Sequence, residues 1–145
     1  MSITVRRLTA GDELGACKLA STFKSARVTP EHAARFLSNP GHFLFVAEVS
    51  GEIVGFLLAY RLERLDRAAT QLFVYEVEVA PSYRRQGVGT RLMERVGEAV
   101  EREGMMEAFV IADADNAAAV ALYGKTGGRR ESGSSVVLVY PGRAG

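Results

Sequence analysis

The sequence predicts one α/β (α+β) domain, residues 1–145, with a mixed central sheet of six to seven strands and helices on both faces. Three observations carry that reading. The 145-residue length allows one domain with a real apolar core. Runs of period two and runs of helical period follow one another as strand, two helices, three strands, helix, strand, helix, two strands. A glycine-containing basic turn, "YRRQGVG" (83–89), joins one strand run directly to one helical run.

Each element has its own signal. "ITVRRL" (3–8) is β-rich and reads as the first strand. Thr9 and Asp12 have capping-box spacing, and Leu14, Cys17 and Phe23 follow at helical intervals, which predicts a helix over 12–26. "TPEHAARFL" opens a second, short helix, with Thr29 as N-cap and Pro30 at the first helical position. "SNPG" (38–41) breaks the chain. "HFLFVAEVSGEIVGFLLAYRLE" predicts a hairpin turning at Ser50-Gly51. "LFVYEVEVA" (72–80) is the next strand. Its alternation puts Phe73, Tyr75, Val77 and Val79 on one face and Val74, Glu76 and Glu78 on the other. A helix over 87–103 follows, with Val88, Leu92, Met93, Val96 and Val100 as its apolar stripe and Gly104 as its stop. "EAFVIAD" (107–113) reads as a strand and "NAAAVALYGKTG" (116–127) as an alanine-rich helix. A short strand near 129–132 and "SSVVLVY" (134–140) would close the order as a hairpin.

Composition narrows the function classes. Apolar residues make up 48% and charged residues 24%, an ordinary globular balance. The net charge of +1 gives no global field toward nucleic acid or membrane, so any charge logic is local. The one cysteine, Cys17, excludes a disulfide within the chain and a cysteine-rich metal site, and it reads as a small buried hydrophobe. His32 and His42 lack ligand spacing, so no metal is expected. No stretch approaches the roughly 18 apolar residues of a membrane span. "MSITVRRLTAGDE" has no signal-peptide run, so the expected location is the cytoplasm.

The basic turn carries the chemistry. A helix N-terminus presents unpaired N–H groups and the positive end of the macrodipole. Glycines allow close approach to that backbone, and Arg84 and Arg85 add charge-assisted donors that suit phosphate oxygens. Strand, R-R-Q-G-V-G, then helix reads as an anion site for a pyrophosphate. It is not a Walker loop, and a dinucleotide fingerprint would need glycine where Leu92 stands.

"VEVAPSYRRQGVGTRLM" resembles the acetyl-CoA-binding signature of the GNAT superfamily of N-acetyltransferases, (R/Q)-x-x-G-x-(G/A), with Arg84, Gly87 and Gly89 at the signature positions. "NAAAVALYGKTG" resembles the N-x-x-A-x-x-L-Y-x-K-x-G segment of the same superfamily. The resemblance implies a GNAT fold whose fourth and fifth strands, 72–80 and 107–113, splay apart around the pantetheine arm of acetyl-CoA. Backbone groups near Val77 and Val79 would pair with that arm. N–H groups of Gln86, Gly87, Val88, Gly89 and Thr90 would hold the pyrophosphate, with Arg84, Arg85 and Lys125 nearby. Asn116 would hydrogen-bond the arm, Tyr123 would protonate the departing thiolate, and the Val79 N–H would face the oxyanion.

Acetyl transfer to an amine also needs a group to take the ammonium proton. Glu76 and Glu78, two apart on one strand face, are candidates to take it and to hold a cationic substrate. Asp113 and Asp115, at the end of the neighbouring strand, join them as substrate-binding candidates. The stretch "LLAYRLERLDRAATQLFVYEVEVAPSYRRQGVGTRLM" is similar to GNAT-type aminoglycoside 3-N-acetyltransferases, in which an aspartate after the tyrosine of Y-D-L-A-V contacts the antibiotic. Glu76, after Tyr75, is the matching residue. The implied reaction is acetylation of an aminoglycoside amine, hence antibiotic resistance, by an expected homodimer. The alternatives are acetylation of a protein N-terminus, a lysine or a polyamine, and a noncatalytic CoA-binding sensor.

Overall fold

A sheet in the order β1-β2-β3-β4-β5 organises the chain; the computed structural model describes residues 1–131 and 136–142. The strands are β1 (Thr4–Leu8), β2 (His42–Val49), β3 (Glu52–Glu63), β4 (Thr70–Val79) and β5 (Glu107–Val110). The helices are α1 (Glu13–Lys24), α2 (Pro30–Ser38), α3 (Val88–Arg102) and α4 (Ala117–Lys125), with a 3-10 turn over Pro81–Tyr83. β1 to β4 run antiparallel to their neighbours, and β5 runs parallel to β4. The sheet is therefore mixed, as expected.

The ends of α2 and α3 follow the sequence signals, whereas Asp12 precedes α1 without a side-chain cap. Thr29 Oγ1 accepts the His32 N–H at 3.1 Å, and Pro30 sits in the first turn of α2. Gly104 takes φ 63, and the Met105 N–H returns to the Val100 carbonyl at 2.9 Å, so α3 stops in a Schellman turn. The face of α1 differs from the reading. Ala16, Leu19 and Phe23 turn toward the sheet, Leu14 is 77% exposed and Cys17 is only partly covered. Two apolar stripes at helical spacing coexist in this segment, and spacing alone does not choose between them.

Two apolar layers enclose the sheet. Leu57, Leu72 and Val74 pack with Leu92 and Val96 of α3 on one face. Leu8, Leu44, Val46 and Phe56 pack with Leu19 and Leu37 of α1 and α2 on the other. At about 25 cal/mol per Å² of apolar burial, these layers are the main favourable term in folding.

Two expectations are corrected. Among the described residues the sheet has five strands, not six to seven. Residues 129–131 and 136–140 form no strand, and the side chains of Val136 to Tyr140 are 68% to 90% exposed; positions 132 and 134–135 of the expected strands lie outside the described residues. β-propensity alone makes no strand, because ladder partners and burial supply most of its stability. The second correction concerns β4. Leu58 pairs with Glu76 and Ala59 with Val74, so Tyr75 is an extra residue in a bulge. The bulge shifts the alternation by one. Leu72, Val74, Val77 and Val79 all join the α3 layer, and Glu76 and Glu78 pair with Leu58 and Phe56 of the α1–α2 face.

Candidate active site

β4 and β5 pair only from Gln71–Glu107 to Val74–Val110. Phe73 and Phe109 stack across this last paired stretch at 4.9 Å. Beyond it β5 ends, three residues short of the expected 113, and β4 runs on to Val79 bonded to β3 alone. The outer backbone edge of Glu76 to Val79 is left open toward β5, an arrangement that can accept an extended amide chain as an added strand.

The start of α3 lies at the end of that open edge. Val88 packs over Gly55, where an added Cβ would lie 3.0 Å from Val88 Cγ1, and Gly55 pairs with Val79. Gly87 holds φ 87 as the residue before the helix, and no side chain caps the first turn. The first helical bond runs from the Arg91 N–H to the Gly87 carbonyl, which leaves the preceding N–H groups for a ligand. A Cβ on Gly87 would meet nothing within 4 Å, so the approach is open. Gly89 does a different job: its Cβ would lie 3.1 Å from Leu122 Cδ2, so its bare backbone admits α4 against α3. Arg85, at φ 62, bends the turn. Arg84 donates from Nε to the Val79 carbonyl at 3.1 Å and ties the turn to β4. The sequence suggested only a phosphate role for Arg84; the guanidinium also holds the strand end.

α4 brings a second set of groups beside this turn. Asn116 Oδ1 accepts the Ala119 N–H at 3.1 Å and caps the helix, leaving its Nδ2 as the outward donor. Gly127, at φ 102, ends α4, and the Gly128 N–H returns to the Tyr123 carbonyl at 2.7 Å. Tyr123, next to Leu122 and half-buried, has its hydroxyl pKa raised by burial. Lys125 is exposed in the last turn of α4.

The carboxylates divide. Glu76 and Glu78 share the α1–α2 face where the sheet opens. Glu76 Oε2 accepts a hydrogen bond from Lys24 Nζ at the end of α1, and that bond holds the ammonium pKa above its ordinary range. Asp113 and Asp115 lie exposed on the turn between β5 and α4. There Asp113 Oδ1 accepts the Asp115 N–H at 2.9 Å and the Asp113 carbonyl accepts the Asn116 N–H. No hydrogen bond or ion pair links them to Glu76 among the described residues.

An aromatic cleft of about 500 Å³, which the sequence did not reveal, opens at Tyr75, the residue before Glu76. His42, Tyr60, Phe73 and Tyr75 line it. His42 Nδ1 donates to the Phe36 carbonyl at 2.8 Å, and Tyr60 stands edge-on to His42 and Tyr75 at 5.2 and 5.6 Å. Burial, then the charges of Tyr75 and Glu76, raise the Tyr60 pKa. The bulge puts Tyr75 here, and no residue type announces a bulge.

Residues 14–128 match the Acetyltransferase (GNAT) family. An L-2,4-diaminobutyric acid acetyltransferase of Nocardia farcinica is 35% identical over 59% of this chain and 42% of its own length. The ribosomal protein bS18 alanine N-acetyltransferase of Escherichia coli is 31% identical over 70% of this chain and 66% of its own. The chain thus spans less than two thirds of either curated relative. Among solved structures, an aminoglycoside acetyltransferase from an uncultured soil metagenomic sample has a TM-score of 0.79 at 28% identity, covering 97% of this chain and 100% of that one. With a sheet that parts between β4 and β5 above an uncapped helix, and a family match over most of its length, the chain belongs to the GNAT acetyltransferase family.

Proposed function

We propose that the chain transfers an acetyl group from acetyl-CoA to a primary amine of an aminoglycoside, at the 3-N position, by direct attack through a tetrahedral intermediate. The observation that carries this reading is the meeting of three features: the open β4 edge, the uncapped start of α3, and two carboxylates on the α1–α2 face. The residues suit acetyl-CoA, because the open space at Gly87 and the unpaired N–H groups match a pyrophosphate. Gln86 to Thr90 supply those groups, with Arg84, Arg85 and Lys125 as cations around them. The Val77 and Val79 backbone and Asn116 Nδ2 hold the pantetheine amides.

Glu76 then receives the acceptor's ammonium proton, directly or through water. The Val79 N–H faces the developing oxyanion. Tyr123, protonated at neutral pH as any tyrosine is, protonates the departing thiolate. Glu78, Asp113 and Asp115 pair with the other ammonium groups of the acceptor, and the aromatic cleft receives its rings. The protein works in the cytoplasm as a homodimer, in which a second copy covers the apolar Val136 to Tyr140 segment, and the acetylation it catalyses confers resistance.

The bS18-alanine N-acetyltransferase relative supports a second reading, in which a peptide N-terminus enters the cleft. Release of CoA thiol against gentamicin-type aminoglycosides, alanine-starting peptides, diaminobutyrate and polyamines separates the two. Turnover with aminoglycosides is expected. Turnover with peptides alone would overturn the acceptor, and CoA binding without any turnover would favour a sensor.

A further inference from the structure

We propose that Lys24 is a self-acetylation site: its Nζ occupies the acceptor-amine position on Glu76 and, when no acceptor is present, takes the acetyl group of acetyl-CoA. The inference rests on the reading of Glu76 and of the β4–β5 gap given above. Its starting point is a contact that the fold itself does not require. Lys24 is the last residue of α1, and its ammonium donates to Glu76 Oε2, the carboxylate placed to deprotonate an acceptor. A lysine Nζ is a primary amine, so the acceptor's chemistry already stands at the base.

The surroundings hold it there. Phe23, the preceding residue, packs edge-on against Phe56 at 5.2 Å, and Phe56 pairs with Glu78. The end of α1 is thereby pinned over the stretch of sheet that carries both carboxylates. Ser25 turns the chain away at φ 49. The Lys24 side chain is 47% exposed, which leaves its four-carbon stem free to move toward the gap. Tethering gives the amine an effective concentration in the millimolar range, so a dissolved acceptor has to compete with it.

The step balances with the groups already described. Nζ gives its proton to the Glu76 carboxylate, and the amine attacks the thioester carbon. The C–N bond forms, the C–S bond breaks, the thiolate takes the Tyr123 proton, and the second proton of the attacking nitrogen passes through water to the tyrosinate, which restores Tyr123. The products are acetyl-Lys24 and CoA. The acetylated side chain is a neutral amide and no longer pairs with Glu76, which frees the carboxylate for a cationic acceptor.

The test is peptide mass spectrometry of the purified full chain after incubation with acetyl-CoA and no acceptor. Lys24 is expected to gain one acetyl group about tenfold faster than Lys18, which lies on the same helix and reports uncatalysed acetylation. Glu76→Gln should slow Lys24 acetylation by about a hundredfold, and saturating spermidine should suppress it. Calorimetry without acetyl-CoA adds a second readout: Lys24→Met should bind spermidine about tenfold more tightly. Lys24 acetylation no faster than that of Lys18, or spermidine affinity unchanged in Lys24→Met, would overturn the inference. Aminoglycoside turnover by a chain whose Lys24 stays unmodified in the acceptor-free incubation would remove this inference alone. Lys24 acetylation without aminoglycoside turnover would support it and remove the aminoglycoside instead.

Discussion

Tyr123 shows how one residue's surroundings set its ionisation. Burial destabilises the phenolate, so the folded pKa lies above the unfolded value near 10. The sign follows: the stability contribution is fully present below the unfolded value and is lost as pH rises through the higher folded one. Tyr123→Phe should lower kcat by about a hundredfold and leave KM for acetyl-CoA unchanged, as read by thiol release. The alkaline limb of its pH profile should also disappear. An unchanged kcat would return Tyr123 to a packing role. This residue was legible, because the L-Y-x-K-x-G segment names it. Lys24 was not. A lysine at the end of a helix reads as a solvated charge, and its partner lies 52 residues away.

Among the elements, β4 decides the site. Its sequence alternates without a break, yet Tyr75 bulges and resets the phase. With the bulge, Val77 and Val79 keep facing the α3 layer, Glu76 and Glu78 face the α1–α2 layer, and Tyr75 turns into the aromatic cleft. Deleting Tyr75 restores a regular ladder with Leu72, Val74, Val77 and Val79 still toward α3. The shortened chain should therefore fold, with a Tm within about 5 °C of the parent. Its CoA affinity should nevertheless fall by about tenfold or more, because β4 would no longer turn away from β5 at Val74. Calorimetric titration with CoA checks this, and undiminished affinity would show that the bulge is not what opens the gap. The two glycines of the turn also separate here. The sequence offered both for ligand approach, whereas Gly87 serves the turn and Gly89 admits Leu122.

Across the whole molecule, the +1 net charge means that binding of a multiply charged anion depends on a local field. Arg84, Arg85 and the start of α3 provide one, with both arginines exposed. CoA affinity should weaken about tenfold as salt rises from roughly 0.05 to 0.5 M, and Arg84→Ala/Arg85→Ala should flatten that dependence. A salt-independent Kd would place the diphosphate elsewhere. Among the described residues no helix is long and apolar enough to cross a membrane.

The order of the five strands and four helices, the caps at Thr29 and Gly104, and the glycine-containing basic turn were all written in local sequence. Each depends on residues within a few positions of one another, where propensity and backbone sterics act directly. The five-strand limit, the buried face of α1, the bulge at Tyr75 and the contact of Lys24 with Glu76 were decided only by the assembled fold. Each depends on which distant surface a segment meets, and hydrophobic burial, which ranks those meetings, has no preferred direction along the chain.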